Sequence, residues 1–528
     1  MTRTNYSRRG VLKTGGLTAT GLAMPTIFTA SSASAFTNEP TGSSVKFGFN
    51  VPQTGPYAEE GLDELRAQEL AVEHLNGIGD GGMLNTFSSK ALDGTGILGK
   101  QVEFVPGDTQ TKSDVARASA QSMIQKEGCI MINGGSSSGV AIAVQGLCQE
   151  AGVIFMAGLT HSNDTTGKDR KRNGFRHFFN GYMSGAALGP VLQGEYGTER
   201  RAYHLTADYT WGWTQQESIQ AVTEAMGWET VQNVLTPVGA GDFSSYIAPV
   251  LNSGADVLIL NHYGGDMVNS LTQAVQFGLK DKQVNGKNFE IIVPLYSELM
   301  AAGAGSNIQG VYGSMNWNWQ LPDAGTAAFV RSFGEKYGFP PSGAAHTCYV
   351  QTLLYADAVT RAGSFNPCAV VEALEGFEFD GMGNGPVLYR AEDHQCFKDV
   401  LVMKGTENPT NQNEHQGTPA TPTNEPTAKT PPTQTPQPEA QNPHGKTKAQ
   451  NGKTPKQAPT ETKNTSQDEQ QEQPNPKRQS QAETEKQEKE EKTQQTTRHG
   501  TQPQQKTGKR PTRTEKTGGA RTREGEPH

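Results

Sequence analysis

The chain has 528 residues and a formal charge of -8 at neutral pH, with 46 Lys and Arg against 54 Asp and Glu, and 34% of it is hydrophobic. This balance gives no electrostatic reason to expect nucleic acid, and no stretch approaches the ~20 consecutive apolar residues of a membrane-spanning helix. Cys129, Cys148, Cys348, Cys368 and Cys396 form no CxxC pair and no His/Cys spacing suited to zinc, so no metal site is expected and at most one or two disulfides.

The N-terminus carries Ser7-Arg8-Arg9-Gly10-Val11-Leu12-Lys13, then a weakly apolar run rich in Gly, Thr and Ala to Phe28, then Ala33-Ser34-Ala35. Paired arginines, a modest apolar region and an A-x-A site, in that order, resemble a twin-arginine export signal, with cleavage expected after about Ala35. Val11 stands where Phe or Leu is more usual.

From 44 to 404, short apolar runs at 45–51, 102–105, 129–132, 153–156, 202–205, 231–235, 257–260 and 291–293 read as buried strands. Between the early runs, 62–75, 113–125 and 139–150 show the i, i+3, i+4 apolar spacing of helices. Such an alternation predicts a doubly wound α/β fold with parallel sheets, and its length exceeds one core, which points to two lobes. Ligands of such sheets sit beyond the carboxyl ends of the strands. Gly134-Gly135-Ser136-Ser137-Ser138-Gly139 occupies such a place, between the third strand and the third helix. Its glycines allow close backbone approach, while free helix N–H groups and three hydroxyls offer a cradle for a carboxylate or amide oxygen. An ordinary βα turn with a serine N-cap has the same pattern.

Beyond Gly405 the composition shifts to Thr, Pro, Gln, Asn, Lys and Glu, without any Val, Ile, Leu, Met, Phe, Tyr, Trp or Cys. Residues 405–528 cannot bury enough apolar surface to offset their ordering entropy, so a disordered tail is expected.

Several segments in order resemble one family. They are Val45-Lys46-Phe47-Gly48-Phe49 with Thr54-Gly55-Pro56-Tyr57, Leu98-Gly99-Lys100-Gln101-Val102-Glu103, Ala207-Asp208-Tyr209-Thr210-Trp211-Gly212, Gly254-Ala255-Asp256-Val257 and Gly381-Met382-Gly383-Asn384-Gly385. Together they resemble the type I periplasmic solute-binding proteins of branched-chain amino acid, amide and urea ABC importers. The resemblance implies two Rossmann-like lobes joined by a three-stranded hinge, with lobe one at about 44–179 and 305–380 and lobe two at about 180–304 and 381–404. It implies a non-catalytic, monomeric receptor in the periplasm that needs no cofactor, closes on a small solute and delivers it to a membrane permease.

Residue by residue, the resemblance places Tyr57 as an aromatic wall, and Ser136, Ser137 and Ser138 on the carboxylate-holding loop. It puts Leu159 and Thr160 after the fourth strand, and Trp211, Tyr263 and Tyr296 on lobe two. Aromatic side chains suit this task because they seal an apolar pocket and still present a polar edge. Cys368 and Cys396, which flank the last crossing region, are the expected disulfide. Amino-acid-binding members carry an acid just after the strand corresponding to 291–293, whereas here Pro294-Leu295-Tyr296-Ser297 precedes Glu298. Either Glu298 or Asp266 reaches a solute ammonium, or the solute has none and is an amide, a urea-like compound or a small carboxylate.

Two rival functions share these residues. Gly135-x-Ser137-x-Gly139 matches a nucleophile elbow, which would make the protein an exported serine hydrolase with Asp256 or Asp266 and His346 completing a triad. A sensor that presents its closed form to a membrane receptor would need the same two lobes.

Overall fold

The computed structural model describes residues 38–407 and the backbone of 426–430. The proposed export signal and the rest of the tail lie outside the described residues. The first half of the fold alternates β1 (Ser44–Val51), α1 (Ala58–Leu75), β2 (Gln101–Asp108), α2 (Ser113–Gln125), β3 (Met131–Gly134), α3 (Ser138–Ala151), β4 (Ile154–Ala157) and β5 (Gly174–Arg176). All pairings in the order β2-β1-β3-β4-β5 are parallel. One face of this sheet packs on α2 and α3 through Ala120, Met123, Val140 and Val144, and the other packs on α1 through Phe47, Ala67, Leu70 and Ala71. Burial on both faces explains why these strands read as continuous apolar runs.

The chain then crosses over residues 177–180 into a second alternation. It comprises α4 (Gly181–Tyr196), β6 (Arg201–Ala207), α5 (Thr210–Ala225), β7 (Glu229–Thr236), α6 (Ser244–Ile247), β8 (Val257–Asn261) and α7 (Gly264–Gln276), followed by the small hairpin of β9 (Gln283–Val284) and β10 (Lys287–Asn288), then β11 (Glu290–Leu295), α8 (Glu298–Ala304) and β12 (Tyr312–Met315). A second crossing at 316–323 leads to α9 (Ala324–Tyr337), α10 (Gly343–Ala362) and α11 (Pro367–Leu374), whose apolar faces join the core of lobe one. A three-stranded sheet of β13 (Glu378–Phe379), β14 (Val387–Tyr389) and β15 (Cys396–Phe397) follows. After a third crossing at 398–399, β16 (Val400–Lys404) lies antiparallel to β12. The second sheet runs β7-β6-β8-β11-β12-β16, with β17 (Pro426–Thr430) antiparallel on its edge.

All eight apolar runs are strands, and the two lobes joined by three crossings are present. The expected lobe boundaries are corrected at two places. β12 keeps the chain in lobe two past 305, because Tyr312–Met315 fills the position between β11 and β16. The return to lobe two comes after 397 and not at 381, because Met382, Val387, Tyr389 and Cys396 pack into the core of lobe one. Of the tail expected to be disordered, only the backbone of Pro426–Thr430 is described, paired with the edge of β16.

The expected disulfide is also corrected. All five cysteines are free; Cys368 is exposed on α11, whereas Cys396 is buried with its Sγ 3.4 Å from His177 Nδ1. The side chains face different environments, so the two sulfurs do not meet. A maleimide reagent should therefore label Cys368 alone in the folded protein, and denaturation without reductant should release the four buried thiols. Counting labelled cysteines by intact mass before and after denaturation checks both statements.

Candidate functional site

The carboxyl ends of the parallel strands of both sheets open onto one narrow cleft, lined by Tyr57, Ser137, Ser138, Leu159, His161, Tyr209, Trp211, Tyr263 and Leu295. Lobe one supplies the N-cap position of α1, the start of α3 and the loop after β4. Lobe two supplies the start of α5, the residue before α7 and the last residue of β11.

The turn after β3 needs its glycines. Gly134 has φ +127° and a Cβ there would stand 2.4 Å from the Asn50 carbonyl oxygen; Gly135 has φ +77° and would meet the Phe155 ring at 2.8 Å. Ser137 also has positive φ, +86°, in a region that L-residues seldom adopt and that costs on the order of 1–3 kcal/mol. This backbone sets Ser137 and Ser138 at the mouth of α3. The Ser138 hydroxyl accepts the N–H groups of His161 at 3.2 Å and Ser162 at 3.0 Å, and so ties the loop after β4 to the serine turn.

Aromatic rings form the walls. Tyr57 and Tyr263 meet edge to face at 5.6 Å, Trp211 and Tyr263 at 6.1 Å, and Tyr209 leans on Trp211 at 5.9 Å. The lobes touch across the cleft through the Tyr57 and Tyr209 hydroxyls at 2.8 Å, and Trp211 Nε1 donates to His161 Nδ1 at 3.1 Å. This second bond fixes the histidine tautomer: Nδ1 accepts, so Nε2 carries the proton. Burial and the nearby Arg176 hold the imidazole well below its usual range, hence neutral, and Nε2 has no partner.

Six of the nine residues expected in the site are brought together here: Tyr57, Ser137, Ser138, Leu159, Trp211 and Tyr263. Three are not. Ser136 turns away and donates its hydroxyl to the buried Glu64. Thr160 lies behind the wall, donating to Ser138 Oγ at 3.1 Å. Tyr296 is in the core with its hydroxyl on the Val311 carbonyl at 3.2 Å, because successive strand residues face opposite sides and Leu295 takes the cleft side. His161, Tyr209 and Leu295 were missed as lining residues. Tyr209 stood inside a quoted segment, and the strand-end rule pointed to all three.

Neither acid expected to reach an ammonium lines the cleft. Asp266 accepts the Gly239 N–H at 2.8 Å, and burial pushes its carboxyl up to about 6. Glu298 accepts from Asn318 Nδ2 at 2.9 Å, with burial pushing it up to about 7. The trial triad does not assemble either. The His346 ring stacks on Trp317 at 4.5 Å with Nε2 on the Met382 carbonyl, Asp256 accepts the Arg201 N–H, and the cleft histidine has its Nδ1 occupied by Trp211 and not by a carboxylate. Among the described residues no group of three or more His, Cys, Asp and Glu is arranged to hold a metal ion.

The loop after β4 is held from below by Arg176, the last residue of β5 and fully buried. Its guanidinium donates to the carbonyls of Thr160 and Ser162, to Thr166 Oγ1 and to Gln395 Oε1. Burial pulls its pKa down to about 9, which still leaves it charged at neutral pH. Arg176→Met should leave these acceptors unpaired and lower stability by about 2–4 kcal/mol, read from the urea denaturation midpoint.

Known proteins share this arrangement. A periplasmic binding protein family model matches residues 44–410. Among curated relatives, Leu/Ile/Val-binding protein homolog 7 of Brucella abortus (strain 2308) is 23% identical over 352 residues, covering 65% of this chain and 83% of its own. Two solved structures share the fold. An amino acid ABC transporter substrate-binding protein from Pseudomonas fluorescens Pf-5 has TM-score 0.60 at 24% identity, covering 69% of this chain and 91% of its own. A solute-binding protein of an ABC transporter from Rhodopseudomonas palustris BisB5, in complex with 3,4-dihydroxybenzoic acid, has TM-score 0.59 at 20% identity, covering 69% and 93%. With two parallel sheets, three crossings and a cleft at their carboxyl ends, the chain belongs to the periplasmic binding protein family.

Proposed function

We propose that the protein is the extracytoplasmic receptor of an ABC importer, which captures a small solute by closing its lobes and hands it to a membrane permease. In this reading Tyr57, Ser137, Ser138, Leu159 and His161 on lobe one and Tyr209, Trp211, Tyr263 and Leu295 on lobe two contact the solute. The observation that carries it is the lining of the cleft: four aromatic side chains, a neutral His161 and serines at the start of α3, without a carboxylate. Such a lining favours a solute with a carboxylate or carbonyl end and an apolar or aromatic body, because an ammonium would be buried there without a counter-ion, at a cost of several kcal/mol. The dihydroxybenzoate held by the Rhodopseudomonas protein is a solute of that kind. The export signal and the periplasmic location expected from the sequence fit this role.

Thermal shift against small aromatic and aliphatic carboxylates, short amides, urea and branched-chain amino acids tests the reading, since a solute that binds only the folded form raises the melting temperature with concentration. Carboxylates or amides should give the rise. A rise with amino acids alone would overturn the solute class, and no rise with any compound would count against the receptor. With the best compound, Trp211→Ala and Ser137→Ala should each weaken affinity by roughly tenfold or more, about 1.4 kcal/mol, while circular dichroism stays unchanged. Isothermal titration reads the affinity.

A further inference from the structure

Beneath the cleft the two lobes exchange contacts through carboxyl groups. Glu60, in the first turn of α1 on lobe one, is 2% exposed and accepts the hydroxyl of Ser297, the N-cap of α8 on lobe two. Glu298, in the first turn of α8, is 4% exposed, accepts from Asn318 Nδ2 at 2.9 Å in the second crossing, and lies beside Gly343, at the start of α10 on lobe one. In each carboxyl group Oε2 has no partner.

The surroundings of both groups carry no positive charge. Glu60 faces Asp63 and Glu64 on its own helix and Glu298 on α8, and the unpartnered Tyr263 hydroxyl stands beside it. Glu298 faces Asp63, Tyr296 and Asn318. The nearest basic side chain, Arg66, serves Asp63 at 3.6 Å. Two carboxylates buried against each other without a cation are far costlier than two neutral carboxyl groups.

We propose that closing the lobes takes up protons, with Glu60 and Glu298 entering the closed interface as neutral carboxylic acids. The proposal rests on the lobe-closing reading above. Burial raises the closed-form carboxyl of Glu60 to about 8 and that of Glu298 to about 7, against 4.5 in water. Each group binds one proton from solvent as the lobes close and returns it as they open, with no bond made or broken elsewhere.

The sign follows from linkage. Below about pH 4.5 both forms are protonated and closure carries no proton cost. From there to about pH 7 for Glu298 and about pH 8 for Glu60 the open form ionises first, so closure weakens by up to about tenfold per pH unit for each carboxyl. His161 acts in the opposite sense: neutral when enclosed, it charges below its usual 6.5 once open, which favours the open form in acid. The carboxyl effect is therefore isolated above about pH 6.5.

Trp211 reports closure, since its ring is 3% exposed and its indole N–H spans the cleft. The experiment measures acrylamide quenching of the full-length, solute-free protein from pH 5 to 9, with the Trp211 contribution taken as the difference from Trp211→Phe and far-UV circular dichroism held constant. Quenching should rise between about pH 6.5 and 8, and Glu60→Gln combined with Glu298→Gln should remove that rise. If the double variant fails to fold, Glu298→Gln alone should lower the steepness between about pH 6.5 and 7, by part of one proton, and leave the slope above about pH 7 to Glu60. A flat response in the wild type, or an unchanged one in the variants, would overturn the proposal. The response is read without solute, so failure of the solute panel would strike the receptor reading and not this one.

Discussion

Parallel pairing forces the carboxyl ends of neighbouring strands onto one edge of a sheet, and in this protein two such edges face each other. Everything chemically distinctive stands there. The serine turn follows β3, the His161 loop follows β4, Tyr209 and Trp211 follow β6, Tyr263 follows β8, and Leu295 ends β11. No long-range design of individual side chains is needed to gather them, since topology does so and local turn chemistry decides which atoms point inward. The strained Ser137 and the close approach of Gly134 to Asn50 are the local cost of that placement.

Two kinds of buried ionisable group sit in this frame in different ways. Arg176 stays cationic because neutral acceptors surround it: two carbonyls, a hydroxyl and an amide oxygen from the loop and from Gln395 near the third crossing. It links the cleft loop to the segment on which the lobes turn. Glu60 and Glu298 have no such shell, and the proton takes the place of the missing cation. One arrangement is rigid at any physiological pH, and the other is conditional.

How much of this was legible depended on length and on alternation. Runs such as 45–51 and 257–260 are rich in apolar residues, and they are strands. β5 and β12 escaped notice because they are short and carry Arg176, Gly313 and Ser314, and their strand character comes from neighbours already in place; β16, with Val400-Leu401-Val402-Met403, carried the apolar signal and was overlooked. Misjudging β12 shifted the lobe boundary. In the site, residues gathered by strand-end position were readable, whereas orientation was not: Ser136 and Ser137 are adjacent yet face opposite ways, as are Tyr296 and Leu295. Buried acids on α1 were invisible, since Glu60 looks like part of a solvated first turn and Glu64 like part of a solvated helix face.

The three crossings also bear on how the chain reaches this state. The sheet of lobe one is complete by residue 176, yet its face is covered by α10, which arrives only at Gly343–Ala362. The sheet of lobe two waits for Val400–Lys404 to join β12. Neither core can be sealed until almost all of residues 38–407 have been synthesised, so the earlier half emerges with unpaired apolar surface and long loops to close. High contact order of this sort slows folding and lengthens the interval in which chaperones can engage the chain.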